Sequence, residues 1–71
     1  MSASVYKVIE VIGTSEKSWD DAAMVAINRA SQSLKDLRIA EVLSQDLKIE
    51  EGKVTAFRIR LALSFKFHDK E

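Results

Sequence analysis

Two arginines stand two residues apart in the segment AFRIRLAL of this 71-residue chain. In an extended strand, Arg58 and Arg60 point to the same face. A guanidinium can hold a carboxylate or phosphate through two parallel hydrogen bonds. Arg58, with Arg38 or Lys48 nearby in the assembly, could therefore receive an anionic or phosphorylated ligand. Alternatively, both arginines form cross-strand ion pairs with Glu10 or Glu41.

A group of carboxylates could supply oxygen ligands to a metal ion. Calcium takes about six to eight such ligands, and acidic side chains are available at Asp20, Asp21, Asp46, Glu50 and Glu51. No loop has the acidic spacing of an EF-hand, so we predict no metal site within one chain. Calcium binding would require carboxylates from several chains to meet at a symmetry axis.

The single tryptophan, Trp19, is a further candidate for ligand contact. Its ring could be a stacking platform, or it could cover the start of a helix against the sheet or a neighbouring subunit. We favour packing, because the start of this helix is expected to lie far from the second strand.

Motifs and composition exclude several classes of function. The chain has no nucleophile–base pair, glycine-rich phosphate loop or HExxH pattern, so we predict no catalytic residues and no enzyme. Lysine plus arginine equals aspartate plus glutamate at 11 each, which provides no attraction to nucleic acid or membranes. No apolar run approaches the ~20 residues that cross a bilayer, and the N-terminus lacks a secretory apolar region. We therefore expect a cytoplasmic protein without nucleic-acid or membrane partners.

The residues before the two arginines must form the elements that position them. The segment SVYKVIEVIG is rich in β-branched residues and ends at Gly13, which is typical of a strand. The next segment, TSEKSWDDAAMVAINRASQSLKDL, predicts a helix of about five turns with Ser18 as its N-cap. The apolar stripe of this helix consists of Trp19, Ala22, Ala23, Ala26, Ile27, Ala30, Leu34 and Leu37.

Two further strands complete the predicted fold. The segment RIAEVLSQDLKIE alternates in polarity, with Ile39 and Gln45 on the same face. The turn EEGK around Gly52 then leads into the last strand. Residues 1–71 should therefore form one α+β domain with the order β-α-β-β, a three-stranded antiparallel sheet wrapped around one helix.

The last strand is too long for its own domain. It would run roughly 45 Å, whereas the predicted helix spans roughly 30 Å. A chain of this length is near the size at which a single core is only marginally sufficient, and it has no cysteine to form a disulfide. The uncovered part of the strand predicts assembly with other copies of the chain.

The sequence resembles the dodecins in VYKVIEVIGTSEKSWDDAAMVAINRA, in the later AEV and in the final FKF. The most specific part of the resemblance is the first strand with its GTS turn. Dodecins are small βαββ proteins that form hollow homododecamers and commonly bind riboflavin or its phosphate, FMN. The resemblance implies a non-enzymatic shell that binds or stores a flavin.

The resemblance fails at two flavin-binding positions. Flavin-binding dodecins have a tryptophan directly before the AEV segment, where this chain has Ile39. They have a glutamine in the last strand, where this chain has Arg58. Isoleucine has no π-face, and arginine donates hydrogen bonds but accepts none.

The ligand is therefore left open between three cases. The family ligand, FMN or riboflavin, is the first. A phosphorylated nucleotide-type cofactor such as coenzyme A, or calcium, is the second, and a shell without a specific ligand is the third. The predicted ligand-binding residues are Arg58, Ile39, Gln45 and Arg38.

Overall fold

The computed structural model describes residues 3–67, and four elements follow one another in the predicted order. They are β1 (Tyr6–Ser15), α1 (Trp19–Ser31), β2 (Leu37–Glu50) and β3 (Lys53–Lys66). The three strands form one antiparallel sheet in the order β1-β3-β2, so the last strand is the central one. The α+β fold with β-α-β-β order and one helix against the sheet is confirmed.

Helix α1 begins as predicted but is shorter. The Ser18 side chain accepts a hydrogen bond of 2.9 Å from the Asp21 backbone N–H, which satisfies one of the free donors of the first turn. The helix has 13 residues, so it spans about 20 Å, and the prediction of about five turns is wrong. The backbone N–H groups of Ser33 and Leu34 both bond the Ala30 carbonyl, which closes the helix before Leu34.

The core lies between α1 and one face of the sheet, here called the inner face. Its fully buried side chains are Leu61 and Leu63 of β3, which pack with Ile59 against two alanines of α1. These alanines, Ala22 and Ala26, let the helix lie close to the strands because their side chains are single methyl groups. The opposite face of the sheet, which carries Arg58 and Arg60, is called the outer face.

Strands β2 and β3 are joined by a two-residue turn. Glu51 and Gly52 both have positive φ values, 53° and 78°, and the flanking Glu50 and Lys53 are cross-strand partners. Two consecutive residues of positive φ form the type I′ turn, whose twist matches that of the strands on either side. The predicted hairpin turn is confirmed.

Three irregularities interrupt the pairing of β2 with β3, and the first lies between Leu37 and Ile39. The other two decide which residues from Ile39 onward share a face. The register shifts between Lys48 and Ile49, and again between Val42 and Ser44. At the second shift two residues of β2 advance while β3 advances by one, which is a β-bulge at Leu43. The residues of β2 before and after this bulge therefore do not keep a single alternation.

The β2–β3 hairpin extends past the rest of the domain. The pairing of β1 with β3 ends at Ser15 and Phe57, so residues 48–56, here called the hairpin arm, belong to a two-stranded ribbon. The described part of the chain measures 53 × 20 × 15 Å, and Ile49 and Val54 of the arm are more than half exposed. The predicted overshoot of the last strand is confirmed.

Candidate functional site

Arg58 lies on the outer face of β3, the central strand, close to the point where the pairing with β1 ends. Its cross-strand partners are Thr14 on β1 and Asp46 on β2. The Arg58 Nε donates to Asp46 Oδ1 at 2.7 Å, and Nη2 donates to Asp46 Oδ2 at 2.9 Å. This is the bidentate arrangement in which both carboxylate oxygens accept from one guanidinium. The predicted ion pairing of Arg58 is confirmed in kind, but its partner is neither Glu10 nor Glu41.

The pair changes the protonation equilibria of both groups. The hydrogen bond from Arg58 lowers the pKa of Asp46 below its ordinary value of 3.8, and the charges of Arg58 and Arg60 act in the same direction. The hydrogen bond to Asp46 in turn raises the pKa of Arg58. Both groups are therefore charged at neutral pH, and the guanidinium fork is filled by a carboxylate of its own chain.

Arg60 makes a weaker pair on the same face. Its Nη1 donates to Glu10 Oε1 at 3.3 Å, and both side chains are about half exposed. This is one of the predicted partners, so the pairing of Arg60 with Glu10 is confirmed. Arg58 is thus paired with a carboxylate of β2, and Arg60 is paired with a carboxylate of β1.

The other predicted ligand-binding residues do not gather around Arg58 within one chain. Ile39 lies opposite Ser64 on the outer face, about 20 Å along β3 from Arg58, and its side chain is 56% exposed. Gln45 lies opposite Ile59 and therefore faces the helix side. The expectation that Ile39 and Gln45 share a face is wrong, because the bulge at Leu43 reverses the alternation between them.

Arg38 lies at a pairing irregularity near the start of β2. The register shifts between Leu37 and Ile39, so Arg38 has no directly opposite residue on β3. Its Nη2 lies 3.7 Å from Asp36 Oδ1, and both side chains are a little under half exposed. Arg38 is therefore at the opposite end of β2 from Asp46 and does not extend the cationic group of Arg58 in the single chain.

Trp19 joins the start of α1 to the hairpin. Its ring meets Phe57 edge to face at a centroid distance of 5.3 Å, and Nε1 donates to the backbone carbonyl of Asp46 at 3.0 Å. Packing of Trp19 against the sheet is confirmed. The expected remoteness of Trp19 from the second strand is wrong, because the Asp46 carbonyl of β2 lies within hydrogen-bonding distance of its indole N–H.

The one site residue that sequence reasoning missed is Asp46, which was considered only as a calcium ligand. A regular hairpin closed at Glu51 and Gly52 would place Gln45, not Asp46, opposite Arg58. The shift between Lys48 and Ile49 moves the pairing by one residue and exchanges them. Nothing in the residue types marks that shift in advance.

Among residues 3–67, no three histidine, cysteine or acidic side chains come together as a metal site in the single chain. Those same residues also form no helix long and apolar enough to span a membrane. What the described surface offers is a paired cationic centre at Arg58, exposed apolar side chains and dispersed carboxylates. These features define a small protein in which one helix packs on a long three-stranded antiparallel sheet that leaves large apolar side chains exposed.

Comparison with known proteins identifies the family. The dodecin family model matches residues 5–68, and the chain belongs to the dodecin family. The calcium dodecin of Mycobacterium tuberculosis is 52% identical over 64 residues, which cover 89% of both chains. The solved dodecin of Streptomyces coelicolor matches with a TM-score of 0.90 and 38% identity over 99% of this chain and 100% of that one.

A further solved structure bears on the ligand. It is that of the Mycobacterium tuberculosis calcium dodecin, described as calcium chelating and as having a novel calcium-binding site. It matches this chain with a TM-score of 0.82 and 46% identity over 96% of this chain and 97% of that one. The resemblance to dodecins predicted from the sequence is confirmed, and one of the similar proteins is a calcium binder.

Proposed function

We propose that residues 1–71 form a single-domain, non-enzymatic, cytoplasmic subunit of a homododecameric shell that binds calcium rather than flavin. The observation that argues most strongly against flavin is the exposed aliphatic side chain of Ile39. It occupies the position where flavin-binding dodecins have a tryptophan. Aromatic stacking contributes about 1–3 kcal/mol per base-like ring, and isoleucine cannot supply it.

The state of Arg58 also speaks against flavin and coenzyme A. A phosphorylated cofactor would need a guanidinium that is free to donate to phosphate oxygens. Arg58 instead donates from two nitrogens to Asp46, and Arg60 donates to Glu10. An incoming phosphate would have to displace a carboxylate that is fixed in the same sheet.

Calcium is supported by similarity to a relative, and the distribution of acidic residues decides how the ion would have to be held. The relative that is 52% identical over 64 residues is named a calcium dodecin. Within residues 3–67 the carboxylates do not cluster in one chain. A calcium ion would therefore be held by carboxylates that several subunits bring together.

Assembly is supported by the apolar surface that one chain leaves uncovered. Exposed large hydrophobic side chains occur on all three strands, including Val8, Ile39, Val42 and Ile49. An apolar groove between β1 and α1 also remains open, lined in part by Ile9, Ile12 and Leu34. Large exposed apolar patches are typical of subunit interfaces, and these side chains and the open groove are the candidates for such contacts.

Two measurements test the proposal. Light scattering at micromolar concentration should give about 96 kDa, twelve times the 8.0 kDa of one chain. Calorimetric titration of chelator-treated protein should give saturable heat with calcium and none with riboflavin, FMN or coenzyme A. A monomer or dimer mass would refute the assembly. A yellow preparation, or a flavin identified by mass spectrometry after denaturation, would refute the choice of calcium.

A further inference from the structure

The outer face of the sheet carries the elements of an anion site. Arg58 and Arg60 are two residues apart on β3, so their side chains leave the sheet about 7 Å from one another. Their side chains are 37% and 47% exposed, which leaves both guanidinium groups accessible. Two accessible arginines at this spacing would attract phosphates if no other anion occupied them.

The two arginines are not occupied equally. Asp46 accepts from two nitrogens of Arg58 at 2.7 and 2.9 Å, whereas Glu10 accepts one bond from Arg60 at 3.3 Å. Hydrogen-bond strength falls with distance, and the bidentate geometry adds direction. Asp46 is therefore the stronger internal competitor for an external anion.

The position of Asp46 is fixed by its backbone. It lies directly opposite Arg58 in the register, and its carbonyl accepts the indole N–H of Trp19 at 3.0 Å. A short side chain on a positioned backbone loses little freedom when it binds the guanidinium. The Asp46 carboxylate is therefore placed to compete with an external anion for the Arg58 guanidinium.

We propose that Asp46 is a specificity-determining residue that fills the fork of Arg58 and so excludes anionic cofactors from the outer face. The inference rests on the proposed function in one respect, because it explains why a shell that binds a cation does not also bind FMN at this face. The excluded ligands are organic and inorganic phosphates, and Asp46 is the residue that excludes them.

The experiment removes the Asp46 carboxylate and keeps the Arg58 guanidinium. Asp46→Asn is compared with wild type by titration with FMN, inorganic phosphate and uncharged riboflavin. The matched control is Glu10→Gln, which makes the same change in charge on the same face but releases Arg60. We expect FMN to bind about tenfold more tightly to Asp46→Asn, with less than about twofold change in the control.

Three further arms separate the fork from general electrostatics. Adding Arg58→Gln to Asp46→Asn should abolish the gain, high salt should weaken it, and riboflavin affinity should not change. Circular dichroism and light scattering check that each variant folds and assembles, and Asp46→Ser replaces Asp46→Asn if the latter does not.

Specific results would overturn the proposal. An equal gain in FMN affinity in Asp46→Asn and Glu10→Gln would mean that net charge alone controls binding, which overturns the proposal. No gain in either Asp46 variant would also refute it. Arg58-dependent, salt-sensitive binding of FMN by wild type would refute it without any Asp46 variant. Calcium titration of wild type tests the proposed function separately. If wild type does not bind calcium, the result for Asp46 and FMN is unaffected.

Discussion

Gly13 of β1 lies so close to Ala26 of α1 that a methyl group built on the glycine would be 2.9 Å from the Ala26 Cβ. The same methyl group would overlap the backbone of Ala22. Real side-chain carbons do not approach this closely, so the strand and the helix have no room for a larger residue here. The absence of a side chain at Gly13 sets the distance between α1 and the sheet.

Gly13→Ala should lower the free energy of unfolding by about 3 kcal/mol or more, because the helix must move away from β1 to admit the methyl group. Gly52→Ala is the matched control. It has open space around it but a φ of 78°, so it should cost about 1–2 kcal/mol through backbone strain alone. Chemical denaturation of both variants makes the comparison. Equal losses would mean that the close contact between strand and helix carries no stability.

Trp19→Phe should lower stability by about 1 kcal/mol, because it removes the hydrogen bond to the Asp46 carbonyl but keeps an aromatic ring near Phe57. Trp19→Ala should cost about 2 kcal/mol or more, since the ring contact is lost as well. Melting temperatures give the order, with the exposed Tyr6→Phe as a control. A phenylalanine variant as unstable as the alanine variant would show that the hydrogen bond, not the ring, holds the hairpin.

The acid stability of the protein should depend on Asp46. Its pKa is lower in the folded chain than its ordinary value of 3.8, so the unfolded chain takes up the proton first as the pH falls. The stability that the pair provides is therefore fully present well above pH 3.8 and is lost as the pH falls through the folded pKa. Asp46→Asn should melt below wild type at pH 7, and the difference should vanish once the pH is below the folded pKa of Asp46. A difference in melting temperature that persists at acid pH would mean that Asp46→Asn acts through packing and not through the ion pair.

Restoring the two family residues should create flavin affinity. Ile39→Trp supplies a stacking surface worth about 1–3 kcal/mol, and Arg58→Gln replaces a donor by a group that both donates and accepts. Quenching of riboflavin fluorescence should show tighter binding by the double variant than by wild type. The surface variant Ile49→Trp, on the hairpin arm, controls for a general effect of added tryptophan. Nanomolar quenching by wild type would contradict the interpretation of Ile39.

The fold was predictable because local signals agree with the tertiary structure. Ser18 is a good N-cap residue at the start of an alanine stripe, and Gly52 supplies the positive φ that a two-residue turn requires. The alternation through Ile59, Leu61 and Leu63 defines the buried face of β3. The end of the helix was less predictable, since Leu34 continues the apolar spacing beyond the last helical residue.

The candidate site was less predictable because it depends on register. Gln45 and Asp46 are both polar, and which of them faces Arg58 is decided by one residue of slippage near Lys48. The face of Ile39 relative to Gln45 is decided by a second irregularity, at Leu43. Bulges of this kind leave no mark in residue type, so sequence alone gives the members of the site but not their neighbours.

The order β1-β3-β2 has a consequence for synthesis of the chain on the ribosome. The central strand is the last of the three to be made, so β1 and β2 have no partner in the sheet until β3 has left the exit tunnel. The sheet therefore cannot form before β3 emerges, and a nascent chain whose β1 and β2 have left the tunnel while β3 has not displays two unpaired strands rich in apolar side chains. Translation that stalls after β2 has left the tunnel, while β3 is still inside it, would yield the species most in need of a chaperone.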